Sequence, residues 1–160
     1  MNQKGQGLIE ALIALGAAVI IISAITIAVI TAVSNSDFAK YQNLATGYAQ
    51  QGMQVVQQKS QLDWKTLQAS ISAATVWCLP QGATDFYPTT GNPSSLCPVN
   101  VSNRFVREIT FTPDSSNCNS GANTQVEASV GWTDGKCTNS TTFCHHVTLD
   151  SCIADIYRTQ

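Results

Sequence analysis

Apolar residues run almost unbroken from Leu8 to Val33 (LIEALIALGAAVIIISAITIAVITAV), and Glu10 is the only charge among them. At about 1.5 Å per residue a helix over this stretch is about 39 Å long, against a hydrocarbon core about 30 Å thick, so the pattern predicts a membrane-crossing helix. A cleavable secretory signal has an apolar region of only about 7–15 residues before a small-residue cleavage site, which this run exceeds. After Val33 the run gives way to Phe38, Tyr41, Ala45, Tyr48, Gly52 and Val55, three or four apart with Gln, Asn and Lys between them. That spacing is the period of a helix with one apolar face, so the helix is expected to continue to about Lys59, its outer half packing on the domain that follows. Gly47 and Gly52 each weaken it by about 1 kcal/mol relative to alanine, which leaves two readings: a bend, or close packing against a sheet.

Further along, Trp64, Leu67 and Ile71 share one face of a second, shorter helix, with Asp63 placed to cap its N-terminus. Residues 78–103 hold four of the five prolines together with Gly82 and Gly91, and read as an irregular connection. Apolar and polar residues then alternate three times, from Arg104 to Thr112, Thr124 to Thr133 and Thr142 to Leu149, each bounded by turn formers. These predict three antiparallel strands. Phe105, Ile109 and Phe111, then Val126, Ala128, Val130 and Trp132, then Phe143, Val147 and Leu149 fall mostly on one face, ready to cover the helix. The fold class is therefore α+β: a long N-terminal helix, half transmembrane and half amphipathic, on an antiparallel sheet of three to four strands.

Composition changes this picture in one respect. All six cysteines (Cys78, Cys97, Cys118, Cys137, Cys144, Cys152) lie beyond the apolar run, an even number in a loop-rich region, as expected of a disulfide-stapled domain outside the cell. Lys4 before the run, with Asp37 and then Lys40 after it, agrees with that orientation. In a three-strand meander Cys118 and Cys152 lie at one end of the sheet and Cys137 and Cys144 at the other, while Cys78 and Cys97 tie the irregular connection. Among the 15 ways of pairing six cysteines the favoured set is Cys78–Cys97, Cys118–Cys152 and Cys137–Cys144. The formal net charge is -2, with no basic patch to capture nucleic acid, so no direct nucleic-acid site is expected.

The opening MNQKGQGLIEALIAL joins a short polar leader, a basic residue, a glycine and an apolar helix carrying an early carboxylate. It resembles the class III signal of type IV prepilins. Lys4-Gly5 matches the end of the leader, Gln6 the first mature residue and Glu10 the fifth, while LIEALIAL matches the start of the helix. The resemblance implies that a prepilin peptidase cuts between Gly5 and Gln6 and methylates the new amino terminus at Gln6, and that Glu10 guides assembly. A residue without Cβ at Gly5 suits a protease that must approach an extended backbone. A carboxylate on a membrane helix costs about 2.5–3.5 kcal/mol near the bilayer centre and calls for a partner, which the neighbouring subunit's amino terminus can supply. Gln6 stands where major pilins usually have phenylalanine, and Ile27 where many have proline. The leucine-isoleucine-glutamate core looks more like minor pilins of the V type and pseudopilins of the I type, as found in type II secretion. Beyond about residue 35 the resemblance is architectural only, and the architecture it implies is the pilin αβ-roll.

The organisation expected on this basis is a leader over residues 1–5, a transmembrane and filament-core helix over 6–33, its amphipathic half over 34–60, and an extracellular domain over 61–160. The implied role is a structural subunit, a minor pilin or pseudopilin serving adhesion, motility, DNA uptake or protein secretion. Its partners would be other pilin subunits, prepilin peptidase, an inner-membrane assembly platform and, before assembly, lipid. It would be a single-pass cytoplasmic membrane protein first and part of an extracellular or periplasmic filament later. A membrane-anchored, disulfide-bonded binding module that never polymerises, with loops 80–103 and 113–123 as its ligand surface, is the alternative.

Other chemistry finds little footing. Cys144, His145 and His146 are metal-ligating types, but neighbours on a strand point to opposite faces, His145 inward with Phe143 and Val147 and His146 outward, so no metal is expected. There is no phosphate-binding glycine loop and no recognisable serine nucleophile, and Glu108 and Glu127, the strand glutamates that could face each other, suit a solvated face. No enzyme activity and no cofactor are expected. Asn100-Val101-Ser102 and Asn139-Ser140-Thr141 fit the glycosylation sequon and mark surface.

Overall fold

A computed structural model describes residues 3–71 (side chains from Gly7 onward), 76–88, 97–113, 115–118, 124–135, 137 and 143–154. Helix α1 runs from Gln3 to Leu62, 60 residues without interruption. The chain divides into two compact units, Met1–Lys40 and Tyr41–Gln160. In the first, every residue from Gly7 to Val33 is exposed.

The second unit begins with the outer half of α1. Its buried positions are Ala45, Ala49, Gly52, Met53, Val56 and Ser60, with Tyr41, Tyr48 and Val55 only half-buried. The apolar stripe is thus turned toward Ala49, Met53 and Val56 relative to the one expected. Small residues occupy its near end and larger ones its far end, and side chains of the sheet come close to the helix at Gly52. There an ideal Cβ on Gly52 would lie 3.1 Å from Arg107 Cδ and 3.3 Å from Ile109 Cδ1, whereas one on Gly47 would meet nothing within 4 Å. Of the two readings of these glycines, close packing holds at Gly52.

Helix α2 spans Trp64–Ile71 and buries Trp64, Leu67 and Ile71. Asp63 caps it: the Thr66 amide donates to Asp63 Oδ1 at 3.1 Å and the Thr66 hydroxyl donates to Oδ2. Both hydrogen bonds favour the ionised carboxyl and hold it below its ordinary range, the hydroxyl's being the larger effect.

The sheet has five antiparallel strands, β1 (Val76–Cys78), β2 (Tyr87–Pro88), β3 (Phe105–Thr112), β4 (Thr124–Trp132) and β5 (His145–Ile153), in the order β2-β1-β3-β4-β5. This corrects the expectation of three to four strands. Residues 78–103 are not wholly irregular, because β1 pairs with β3 at Trp77–Ile109 and Cys78–Glu108, and β2 adds the edge, where Pro88 is tolerated. The third predicted strand also shifts, starting at His145 and reaching Ile153. Phe143 consequently does not join the core face. It packs on Val106 beside Cys78 and Cys97, and lies 3.2 Å from where a Gly131 Cβ would be, on the opposite side of the sheet. The main core gathers Met53 and Val56 of α1, Trp64, Leu67 and Ile71 of α2, and Trp77, Ile109, Phe111, Val126, Ala128 and Ile153 of the sheet. Three disulfides join Cys78 to Cys97, Cys118 to Cys152 and Cys137 to Cys144.

Candidate functional site

Within the first unit the candidate site is the surface of the helix itself. Fourteen Leu, Ile and Val side chains between Leu8 and Val33 are exposed. At about 0.3–0.6 kcal/mol each on an insertion scale they favour a bilayer by about 4–8 kcal/mol, which exceeds the cost of one carboxylate. The hydroxyls on this stretch do not detract from it. Ser23 donates to the Val19 carbonyl at 2.8 Å, Thr26 to that of Ile22 at 2.8 Å and Thr31 to that of Ile27 at 2.9 Å, so each is satisfied on its own helix. The helix is therefore long and apolar enough to cross a membrane.

Glu10 is exposed and lies on the helix among Ile9, Ile13 and Ala14. Ile13 and Ala14 stand three and four residues on, so they share its face, and no cation is available among these neighbours. Gly5 and Gln6 lie within the helical span.

In the second unit the sheet carries a buried cation that the alternation pattern missed. Arg107 is 2% exposed and holds its guanidinium on three main-chain carbonyls, with Nε donating to Leu79 at 2.9 Å, Nη1 to Tyr48 at 3.0 Å and Nη2 to Pro80 at 2.8 Å. Burial lowers its pKa from the ordinary arginine value, yet a group starting so high stays charged. The side chain thus ties helix α1, through Tyr48, to the segment after β1. Arg107 shares the core parity of Phe105, Ile109 and Phe111, and Gly52 provides the space for it. Those two facts were its available sequence signal.

The strand glutamates do not face each other. Glu108 is opposite Ser129, and Glu127 is between Thr110 and Asp150. Glu108 accepts a hydrogen bond from the Cys97 amide at 2.8 Å, a structural role. Asn100 is likewise occupied. Its Nδ2 donates to the Arg107 carbonyl at 3.0 Å and its Oδ1 accepts from the Arg107 amide at 2.8 Å, imitating a strand partner. The nitrogen that a glycan would modify is therefore engaged, although Ser102 of the same sequon is exposed. Asn139-Ser140-Thr141 lies outside the described residues.

A cleft of about 170 Å³ lies between α1, α2 and the sheet, lined by Lys59, Asp63, Thr66, Trp77, Asp85 and Phe86 among others. Its charged groups are already engaged: Lys59 Nζ is 2.7 Å from Asp85 Oδ1 and 5.7 Å from the centre of the Phe86 ring, and Asp63 accepts from Thr66. The hydrogen bond from Lys59 is the main reason the Asp85 carboxyl sits below its ordinary range.

At the end of the β4–β5 ladder His145 Nε2 lies 3.2 Å from Asp134 Oδ1, next to the Cys137–Cys144 disulfide, while His146 is exposed. The histidines thus alternate as expected, and the residues gathered with Cys144 and His145 are Asp134 and Cys137. Sequence reasoning missed Asp134. Comparison of the chain with protein-family models, curated proteins and solved structures finds no match.

Proposed function

We propose that the chain is a structural subunit of a type IV pilus-like filament, a minor pilin or pseudopilin, with a pilin αβ-roll and no catalytic role. The observation that carries this reading is the long helix α1. Its exposed apolar stretch from Leu8 to Val33 bears one carboxylate just after the Lys4-Gly5 pair. A bare apolar cylinder must be covered, by lipid before assembly and by neighbouring helices afterwards.

Cleavage between Gly5 and Gln6 creates a free amino terminus. In a bundle of such helices the amine of one subunit neutralises Glu10 of the next, so two charges enter the apolar core as a pair. Before assembly the chain spans the cytoplasmic membrane once, with the disulfide-bonded domain outside. The filament would serve adhesion, motility, DNA uptake or protein secretion, with other pilin subunits, prepilin peptidase and an inner-membrane platform as partners.

Intact mass and N-terminal sequence of the protein from cells, under non-reducing conditions, test the processing step. The expected product starts at Gln6 with one added methyl group and three intact disulfides. A start at Met1 overturns the reading and favours a membrane-anchored binding module that does not polymerise.

A further inference from the structure

The corner after β4 places four metal-ligating residues of three chemical types together. Asp134, Cys137, Cys144 and His145 each bring one ligand atom, and all four atoms lie within 4.8 Å of one another. In a tetrahedral zinc site with Zn–S near 2.3 Å and Zn–N or Zn–O near 2.0–2.1 Å, ligand atoms are about 3.3–3.8 Å apart. The pair Asp134 Oδ1 and His145 Nε2 at 3.2 Å is already close to this spacing, and the pair Cys137 Sγ and Asp134 Oδ1 at 3.8 Å is at its upper end. The two sulfurs are too close, because they are bonded to each other. A disulfide sulfur carries no negative charge and is a poor ligand, so the oxidised protein holds no such site.

We propose that reduction of Cys137–Cys144 converts this corner into a four-ligand site for Zn2+. A dithiol reductant delivers two electrons and two protons to the S–S bond and is itself oxidised to a disulfide. As the cation binds, both new thiols release their protons to solvent, and the thiolate sulfurs separate to metal-ligand distance.

Three features suit this exchange. The Thr133 hydroxyl and the Asp134 amide both donate toward Cys137 Sγ, at 3.2 and 3.4 Å, and such donors favour a thiolate acceptor. The ladder runs up to the Trp132–His145 pair, and the buried Trp132 ring packs 5.4 Å from the imidazole, so ligands from the two strands stay adjacent when the sulfur bond opens. All four residues are half-buried, open enough for an ion to enter from solvent.

The test uses the full-length protein in detergent, reduced with a trialkylphosphine, which becomes the phosphine oxide with oxygen from water. After anaerobic removal of the phosphine the protein is titrated with Co2+ and then Zn2+. One Co2+ per chain, with thiolate-to-cobalt charge-transfer absorption that Zn2+ bleaches, is expected from the reduced form and not from the oxidised form. Asp134→Ala and His145→Ala should each weaken binding by at least about tenfold, His146→Ala should not, and the double variant Cys137→Ser/Cys144→Ser should lose the signal although four other thiols remain. No Co2+ retention by the reduced protein, absorption persisting in the double variant, or indifference to both Asp134→Ala and His145→Ala would overturn the proposal. Should full reduction unfold the domain, limited reduction with alkylation mapping decides: Zn2+ must slow labelling of Cys137 and Cys144 selectively, and equal labelling of all six cysteines refutes it.

Discussion

Alanine at Gly52 and alanine at Gly47 should move the stability of the domain in opposite directions, although both residues sit in the same helical stretch. Alanine is favoured over glycine in a helix interior by about 0.8–1.0 kcal/mol. At Gly47 nothing lies within 4 Å of the added methyl group, so that gain stands. At Gly52 the methyl group meets Arg107 Cδ at 3.1 Å and Ile109 Cδ1 at 3.3 Å, inside the optimal carbon separation of about 3.5–4.0 Å. Neither neighbour can retreat, since Arg107 is anchored on three carbonyls and Ile109 is fully buried. Overpacking of this kind costs about 1–3 kcal/mol, which outweighs the helical gain and leaves Gly52→Ala less stable by about 1 kcal/mol. The two variants should differ by about 2 kcal/mol. Thermal unfolding of the detergent-solubilised, oxidised protein reads this directly through the fluorescence of Trp64, Trp77 and Trp132, all buried. A rise of about 3–5 °C is expected for Gly47→Ala and a similar fall for Gly52→Ala. Equal stabilisation by both would refute the close helix–sheet approach. In an Arg107→Ala background the penalty at Gly52 should shrink, because the closer of the two clashing atoms is gone while Ile109 Cδ1 remains.

Arg107→Met should cost about 3 kcal/mol in urea unfolding, since it leaves the carbonyls of Leu79, Pro80 and Tyr48 without that donor; a loss below about 1 kcal/mol would mean that water takes its place. Glu10→Ala should leave the chain membrane-inserted and cut after Gly5 but missing from sheared filaments, and wild-type incorporation of this variant, followed by immunoblotting, would sink the proposed pairing with the amino terminus. Both Asp63 and Asp85 have depressed folded-state pKa values, so the stability they add is present above the ordinary carboxyl value of about 3.9 and is lost as pH falls below it through the folded values. Denaturation midpoints measured between pH 7 and pH 2 should fall at the acid end, and Asp63→Asn should flatten part of that fall; an unchanged profile would remove the cap from the explanation.

What the sequence disclosed follows the length of each signal. Leu8 to Val33 is a long unbroken run, Asp63 stands three residues from the Thr66 it binds, and the alternating residues of β3, β4 and most of β5 repeat a period often enough to be read. β1 and β2, of three and two residues, do not; β1 forms on the edge that β3 offers and β2 on the edge of β1, long-range events with no local trace. Phe143 was misplaced because alternation was extended past the true start of β5, where the chain leaves the ladder. Arg107 escaped because a pattern of apolar residues has no place for a cation on the core face. Asp134 joined Cys137, Cys144 and His145 through a turn at the far end of the ladder, and Glu10 was legible because a single charge in an apolar run stands out.

The Cys118–Cys152 bond spans a sequence separation of 34, and β4, the Cys137–Cys144 bond and nearly all of β5 lie inside it. If the chain is stretched from its two ends, tension reaching Cys118 crosses to Cys152 through sulfur and bypasses everything between. The enclosed chain, about 110–120 Å if drawn out fully, never contributes to extension. Tugging can peel away helix α1 or β3, but the β4–β5 ladder behaves as an inextensible knot that tension leaves slack.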